Sequence, residues 1–287
     1  MDDRELLKVV MGIVGQENCL DDCAELPCGD QVMVATTDML HQTTDFVPGM
    51  SDWQIGWMSA AVTLSDIASM GAAPKYLLVA VGLDRWEQLS GVMQGAKDCC
   101  TKYGAAIIGG DIDRHNELTV VTTGLGLVES AHIARRSGAH PGDLVCITGT
   151  PGQAQAWLEG FLQHERALFE PQPRVTEGQR LARGGITAMM DDSDGIALSL
   201  YDLVNVNDCG FAIKSSRLPL PAGVPGGQAR ELALYGGGDY ELIFTLPPER
   251  HPVDGVAYTV IGTVIPGKQV LVDGIPAERR GYQHRWG

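Results

Sequence analysis

The period of the hydrophobic positions changes repeatedly along the chain, and each change marks an element. Residues 3–14 place apolar side chains at helical spacing and predict a short amphipathic helix. Alternation over 31–37, with Val32 and Val34 on one face, predicts a strand ending at Thr36-Thr37-Asp38. Ser51 is an N-cap for a long apolar helix that runs through Met70 and closes at Gly71, with Pro74 just beyond. A strand over 75–83 follows. Asp84 and Glu87 form a capping-box pattern opening a helix that ends at Gly104. Residues 105–108 predict a short buried strand stopping at Gly109-Gly110-Asp111, and 117–128 a long strand rich in Val, Leu and Thr.

The turn-forming segment 137–143 interrupts this pattern and marks a domain junction. Beyond it strands over 144–148, 186–190, 211–214 and 240–246 alternate with helices over 152–164, 174–183, 196–205 and 228–235. A β-hairpin is expected over 256–276, followed by a tail carrying Tyr282 and Trp286. The expected fold is therefore α/β with two domains, 1–138 and 139–287.

Composition narrows the function. The 287 residues carry 36 Asp+Glu against 21 Lys+Arg, a net charge of −15. Such a surface repels phosphate backbones, so neither nucleic acid nor an anionic membrane is an expected partner. An apolar content of 44% supports real cores. No apolar run approaches the ~18 residues of a membrane span, and Met1-Asp2-Asp3-Arg4-Glu5 lacks the basic-then-apolar layout of a signal peptide. A soluble cytoplasmic protein is expected. Seven irregularly spaced cysteines read as reduced thiols, with Cys99 and Cys100 as helix packing and surface.

The acids are unevenly divided, 22 Asp to 14 Glu. Short, stiff Asp suits turns, caps and metal sites. Many fall where predicted strands end: Asp38 beside Thr36 and Thr37, Asp111 after Gly-Gly, and Asp191, Asp192 and Asp194 together. Asp239 follows three glycines, and Asp21-Asp22 lies in an early loop. Ligands of α/β folds gather at such strand ends, and carboxylates with hydroxyl neighbours suit Mg²⁺ shared with substrate phosphates. Asp66 sits inside an apolar helix between Leu64 and Ile67. Two readings stand open for it: a partly buried carboxylate, costly unless paired or metal-bound, or a solvent-facing residue on a polar stripe with Ser65 and Ser69. There is no P-loop, nucleophile elbow or HExxH motif.

Taken in order, Asp21-Asp22-Cys23-Ala24, Thr36-Thr37-Asp38-Met39-Leu40, the run from Leu64-Ser65-Asp66-Ile67-Ala68 to Met70-Gly71-Ala72, Gly109-Gly110-Asp111, Thr148-Gly149-Thr150-Pro151-Gly152 and Gly238-Asp239-Tyr240-Glu241-Leu242 form a pattern. It resembles the thiamine-monophosphate kinases, of the superfamily that includes aminoimidazole ribonucleotide synthetase and selenophosphate synthetase. The resemblance covers nearly the whole chain. It implies ATP-dependent transfer onto the phosphate of thiamine monophosphate. The implied homodimer pairs the N-terminal sheet with its twin in a shared β-barrel, with a C-terminal α/β domain beside it. It also implies Mg²⁺ ligands at Asp22, Thr36, Thr37, Asp38, Asp66, Asp111 and Asp191, a further one at Asp194, and ATP contacts at Gly110, Asp111, Arg136 and Ser193. A phosphate monoester is largely dianionic at neutral pH and needs no general base, which agrees with the motifs found.

Four positions depart from the family pattern: Leu20 for Gly, Asp45 for His, Asp192 for an apolar residue and Gly238 for Glu. Asp45 and Gly238 fall on the acceptor side, where Tyr282 and Trp286 could stack on a cationic thiazolium. The alternatives are a related synthetase acting on another small acceptor, or a non-catalytic nucleotide-binding protein.

Overall fold

Two sheets organise the chain, which the structure, a computed structural model, describes over residues 3–284. A first helix, α1 (Asp3–Val14), precedes a hairpin of β1 (Ala24–Cys28) and β2 (Gln31–His41). With β3 (Ala73–Leu83), β4 (Ala106–Arg114) and β5 (Thr119–Glu129) these make a five-stranded sheet in the order β1-β2-β5-β3-β4. Strand β2 does not stop at Asp38. It pairs with β5 from Gln31↔Glu129 to His41↔Thr119, so Thr36-Thr37-Asp38 lies inside the ladder. The apolar alternation fades there while the hydrogen bonds continue, which is why pattern alone ended it early.

Strand β4 also corrects expectation. It is neither short nor buried: it runs through Gly109-Gly110-Asp111 as an exposed edge strand, parallel to β3. Gly110 follows from this pairing, because a Cβ there would lie 1.7 Å from the Val79 carbonyl oxygen.

Helices α2 (Asp52–Ser69) and α3 (Leu89–Tyr103) cover one face of the sheet. Ser51 caps α2, and Ser51 and Gln54 complete a capping box. The two helices touch through glycines: a Cβ on Gly56 would come within 1.8 Å of the Val92 carbonyl, and one on Gly95 within 1.8 Å of the Trp53 carbonyl. The predicted Asp84/Glu87 capping box does not form. A 3-10 turn, Trp86–Gln88, opens the helix instead, with Arg85 before it and no side-chain cap. Cys99 and Cys100 are both buried, so neither is at the surface. The other face of the sheet is apolar and open: Met39, Tyr76 and Leu78 are 57%, 46% and 38% exposed.

The second sheet has seven strands, β6 (Leu144–Thr148), β7 (Ala188–Asp192), β8 (Gly210–Ile213), β9 (Glu241–Leu246), β10 (Tyr258–Ile265), β11 (Val270–Val272) and β12 (Ile275–Pro276). They lie in the order β12-β11-β8-β10-β6-β9-β7. Its central strands are buried on both faces: Ile147 and Ile243 point into one core, Cys146 and Phe244 into another. The expected hairpin over 256–276 is not present, because β8 lies between β10 and β11; the hairpin is β11–β12. The expected helix over 152–164 breaks at Gly160, where φ is +96°, into α4 (Gln153–Leu158) and, after a 3-10 turn, α5 (Glu165–Phe169). Helices α6 (Val175–Arg183), α7 (Ile196–Val206) and α8 (Gly226–Tyr235) complete the set. Among the described residues no helix is long and apolar enough to cross a membrane.

The seam between the two halves positions the site. Helix α2 packs on its own sheet and also meets α6 and the end of β7.

Candidate metal and phosphate site

The inner half of α2 carries hydroxyls and one carboxylate at helical spacing: Thr63, Ser65, Asp66 and Ser69. Each hydroxyl holds an aspartate from another element. Thr63 Oγ1 donates to Asp38 on β2 at 2.6 Å. Ser65 Oγ donates to Asp191 on β7 at 2.9 Å, and Ser69 Oγ to Asp22 at 2.6 Å. Thr36 donates in turn to Asp66 at 2.6 Å. Ligand atoms of Asp22, Asp66 and Asp191 all lie within 4.8 Å of one another. Asp38 lines the same cavity as Asp66 and Asp191. The polar stripe of α2 thus faces an acidic cluster and a cavity, so Asp66 is not a residue of a solvent-facing stripe.

Gathering these carboxylates disfavours their ionisation. Burial pushes Asp66 well above the ordinary carboxylate range, and the charges of Asp38, Asp191 and Asp22 push it further the same way. Asp191 is pushed up to about 8, by burial first and then by Asp22. Burial also raises Asp38, an effect that the Thr63 hydrogen bond partly offsets. Among the described residues the one cation in direct contact with the cluster is Arg136, whose Nε donates to Asp22 at 2.9 Å. An all-oxygen donor set, braced by hydroxyls and short of positive charge, fits a hard divalent cation such as Mg²⁺.

A pH dependence follows. An unfolded aspartate titrates near ~3.9, whereas Asp191 titrates at about 8 in the fold. Between these values the unfolded chain loses protons that the folded chain keeps. The stability of the metal-free protein therefore falls as pH rises through this window and levels off above it. In EDTA the melting temperature is expected to drop from pH 5 to pH 8, with a shallower drop in Asp191→Asn. A melting temperature that rises over that range, or an equal slope in the variant, contradicts this origin.

Other predicted residues cluster nearby. Asp45, Ser193, Asp194, Gly238 and Tyr282 line the same cavity of about 300 Å³ as Asp38, Asp66 and Asp191. Asp45 accepts the His41 backbone N–H and the Thr44 hydroxyl, each at 2.7 Å, and closes the turn after β2. Gly238 has φ +90°, and its N–H donates to the Ser193 carbonyl at 2.8 Å. The Tyr282 N–H donates to the Asp194 carbonyl at 3.0 Å, which seats the tail on the same loop.

Three predicted residues are not brought to the cluster. Thr37 points to the opposite face of β2, where its hydroxyl meets the Thr122 carbonyl at 3.1 Å. Gly110 and Asp111 lie on β4, and the ladder Asp38↔Thr122, Thr122↔Val79, Val79↔Gly110 separates them from Asp38 by three strand spacings. That is roughly 14 Å. Trp286 lies outside the described residues. Asp192, adjacent to Asp191, points the other way. It is 1% exposed, accepts from Ser199 at 3.0 Å, and is raised well above the ordinary range by burial and then by Asp239.

Sequence reasoning missed the bracing roles of Thr63, Ser65 and Ser69. Their spacing around Asp66 was the available signal. It also missed Arg4, which donates to Asp194 at 3.1 Å, and His284, which lines the cavity. Neither sits in a recognisable motif.

Within this two-sheet α/β chain, residues 20–128, which carry most of the aspartate cluster, match the family described as AIR synthase related protein, N-terminal domain. The thiamine-monophosphate kinase of Methanospirillum hungatei is 48% identical over 288 residues, covering 100% of both chains. That of Halobacterium salinarum is 38% identical over 297 residues, covering 99% of this chain and 100% of the relative. The chain belongs to the thiamine-monophosphate kinase family. Among solved structures, AaThiL complexed with AMPPCP and TMP superposes with a TM-score of 0.92 at 26% identity, covering 99% of this chain and 97% of that one.

Proposed function

We propose that this protein transfers the γ-phosphoryl group of ATP to the phosphate of thiamine monophosphate, giving thiamine diphosphate, at the cluster of Asp22, Asp38, Asp66 and Asp191. The convergence of these four carboxylates carries the reading: each is braced by a hydroxyl, Asp38, Asp66 and Asp191 line one cavity, and Asp22 lies within 4.8 Å of Asp66 and Asp191. They would hold Mg²⁺, with Asp194 as a further ligand. Bound ions would neutralise the meeting phosphates and align an in-line attack. Arg136 and Ser193 face the nucleotide. Asp45, Gly238 and Tyr282 bound the acceptor end, where apolar Met58, Val62 and Leu168 also line the cavity and Tyr282 offers a π-face to the thiazolium.

The chain divides near 138–139 into an N-terminal half bearing most of the cluster and a C-terminal half that contributes Asp191 and the acceptor loops. The working form is a cytoplasmic homodimer. The exposed apolar face of the first sheet and its uncovered β4 edge support this, since such a surface is stabilised by pairing with a second copy. A twin sheet would also bring Asp111 to the partner's cluster.

With ATP and Mg²⁺, thiamine monophosphate is expected to release ADP and yield the diphosphate. Free thiamine must lose a hydroxyl proton and brings no phosphate to the cluster. It is expected to react at least ~10²-fold more slowly. Comparable turnover of free thiamine in a coupled ADP assay would overturn the acceptor assignment.

A further inference from the structure

A second cavity, of about 780 Å³, lies on the other side of Asp194, which lines both. It is bounded by α1, α7 and the loop that carries Cys19 and Leu20. Among the described residues four cationic side chains line it, Arg4, Lys8, Arg136 and Arg279, against two carboxylates, Asp194 and Asp202. In a chain of net charge −15 this is a local reversal of sign. Low-dielectric walls focus such a potential on an anion.

The two inner guanidiniums are each half committed. Arg4 Nε donates to both oxygens of Asp202, at 2.9 and 3.1 Å, and Nη2 donates to Asp202 and Asp194. Arg136 gives Nε and Nη2 to Asp22. Among the described residues neither Nη1 has a hydrogen-bond partner, so Arg4 retains two N–H donors and Arg136 three. Both are one hydrogen bond from a carboxylate of the reacting centre, Asp194 for Arg4 and Asp22 for Arg136. A phosphate oxygen can take Nη1 of Arg4 while the Asp202 pair stays intact and keeps α1 seated on α7.

We propose that this cavity is an oligophosphate subsite and that Arg4, carried in by α1, is one of its phosphate ligands. The proposal rests on the kinase reading, because that reaction places phosphates beside Asp194. Two sources share the chemistry: the phosphate chain of the nucleotide and the diphosphate of the product. The plainer alternative is that Arg4 only ties α1 to α7.

The test is calorimetric titration of the full chain, with Mg²⁺ present, using three probes: inorganic pyrophosphate, AMPPCP and thiamine diphosphate. Wild type, Arg4→Gln and Lys8→Gln are compared, with melting temperatures alongside. Arg4→Gln is expected to weaken pyrophosphate by roughly 10-fold or more, the effect of losing a charge-assisted hydrogen bond to phosphate. Exposed Lys8 has no hydrogen bond or ion pair among the described residues, and its change to Gln should weaken binding a few-fold with no shift in melting. A loss confined to AMPPCP and pyrophosphate assigns the subsite to the donor; one confined to thiamine diphosphate and pyrophosphate assigns it to the product. Unchanged affinity for all three probes in both variants overturns the proposal, whether or not Arg4→Gln melts lower. If those variants bind normally while wild type phosphorylates thiamine monophosphate, only the subsite falls. If wild type binds pyrophosphate through Arg4 yet never phosphorylates thiamine monophosphate, the kinase reading falls and the anion site stands.

Discussion

Replacing Asp66 by asparagine is expected to cut turnover by roughly 10²-fold or more, while leaving the metal-free protein at least as stable as the wild type. Asp66 stands among Asp22, Asp38 and Asp191, and their charges all oppose its own ionisation. Like charges at an effective dielectric of ~20 repel by on the order of 1–4 kcal/mol per close pair. Asparagine removes that repulsion and can still accept from Thr36. A carboxylate serving as a cap or in a buried ion pair behaves in the opposite way, since its loss destabilises the fold under all conditions. Melting in EDTA and again with Mg²⁺ and a non-hydrolysable ATP analogue separates the two. Wild type should gain strongly from the ligands and Asp66→Asn little. A variant that melts several degrees lower in EDTA yet turns over normally would make Asp66 structural.

The second large effect concerns Asp111. Its strand neighbour on β3 is Ala80, on the open face of the sheet, whereas Asp38 points to the helix face and Thr63. Three strand spacings and the sheet itself separate the two carboxylates within one chain. If Asp111 serves the reaction, it does so from the partner's sheet. Asp111→Asn and Asp66→Asn homodimers are then both expected to be nearly inactive. Mixed dimers of the two variants would regain one intact site in each, so random mixing should recover about a quarter of wild-type activity. No recovery despite demonstrated subunit exchange would place both residues in one chain's site, or remove Asp111 from the chemistry. Sedimentation of the wild type as a monomer at micromolar concentration would remove the basis for the experiment and count against the dimer.

The α/β class and most helices were legible in the chain because burial writes its period into the sequence. The buried residues of α2, its Ser51 cap and its stop at Gly71 all follow from local chemistry. So did the concentration of aspartates near strand ends, because a carboxylate outside a cap or turn needs another reason to be there. Of the candidate ligands legible in sequence and resemblance, Asp22, Asp38, Asp66 and Asp191 converge; Thr37 and Asp111 do not.

Tertiary structure alone decided three matters. It chose between the two readings of Asp66: helical spacing says only that Ser65, Asp66 and Ser69 lie close on the helix, not whether that side meets water or other carboxylates. It carried β2 on to His41 and β4 through Asp111, because a ladder continues as long as a neighbour offers hydrogen bonds, whatever the side-chain pattern. It also separated Asp111 from the cluster, and brought Arg4 to Asp194 across 190 positions of sequence. A local pattern records which side of an element is buried. Which elements meet, and so which charges must be neutralised together, depends on packing between segments remote in the chain.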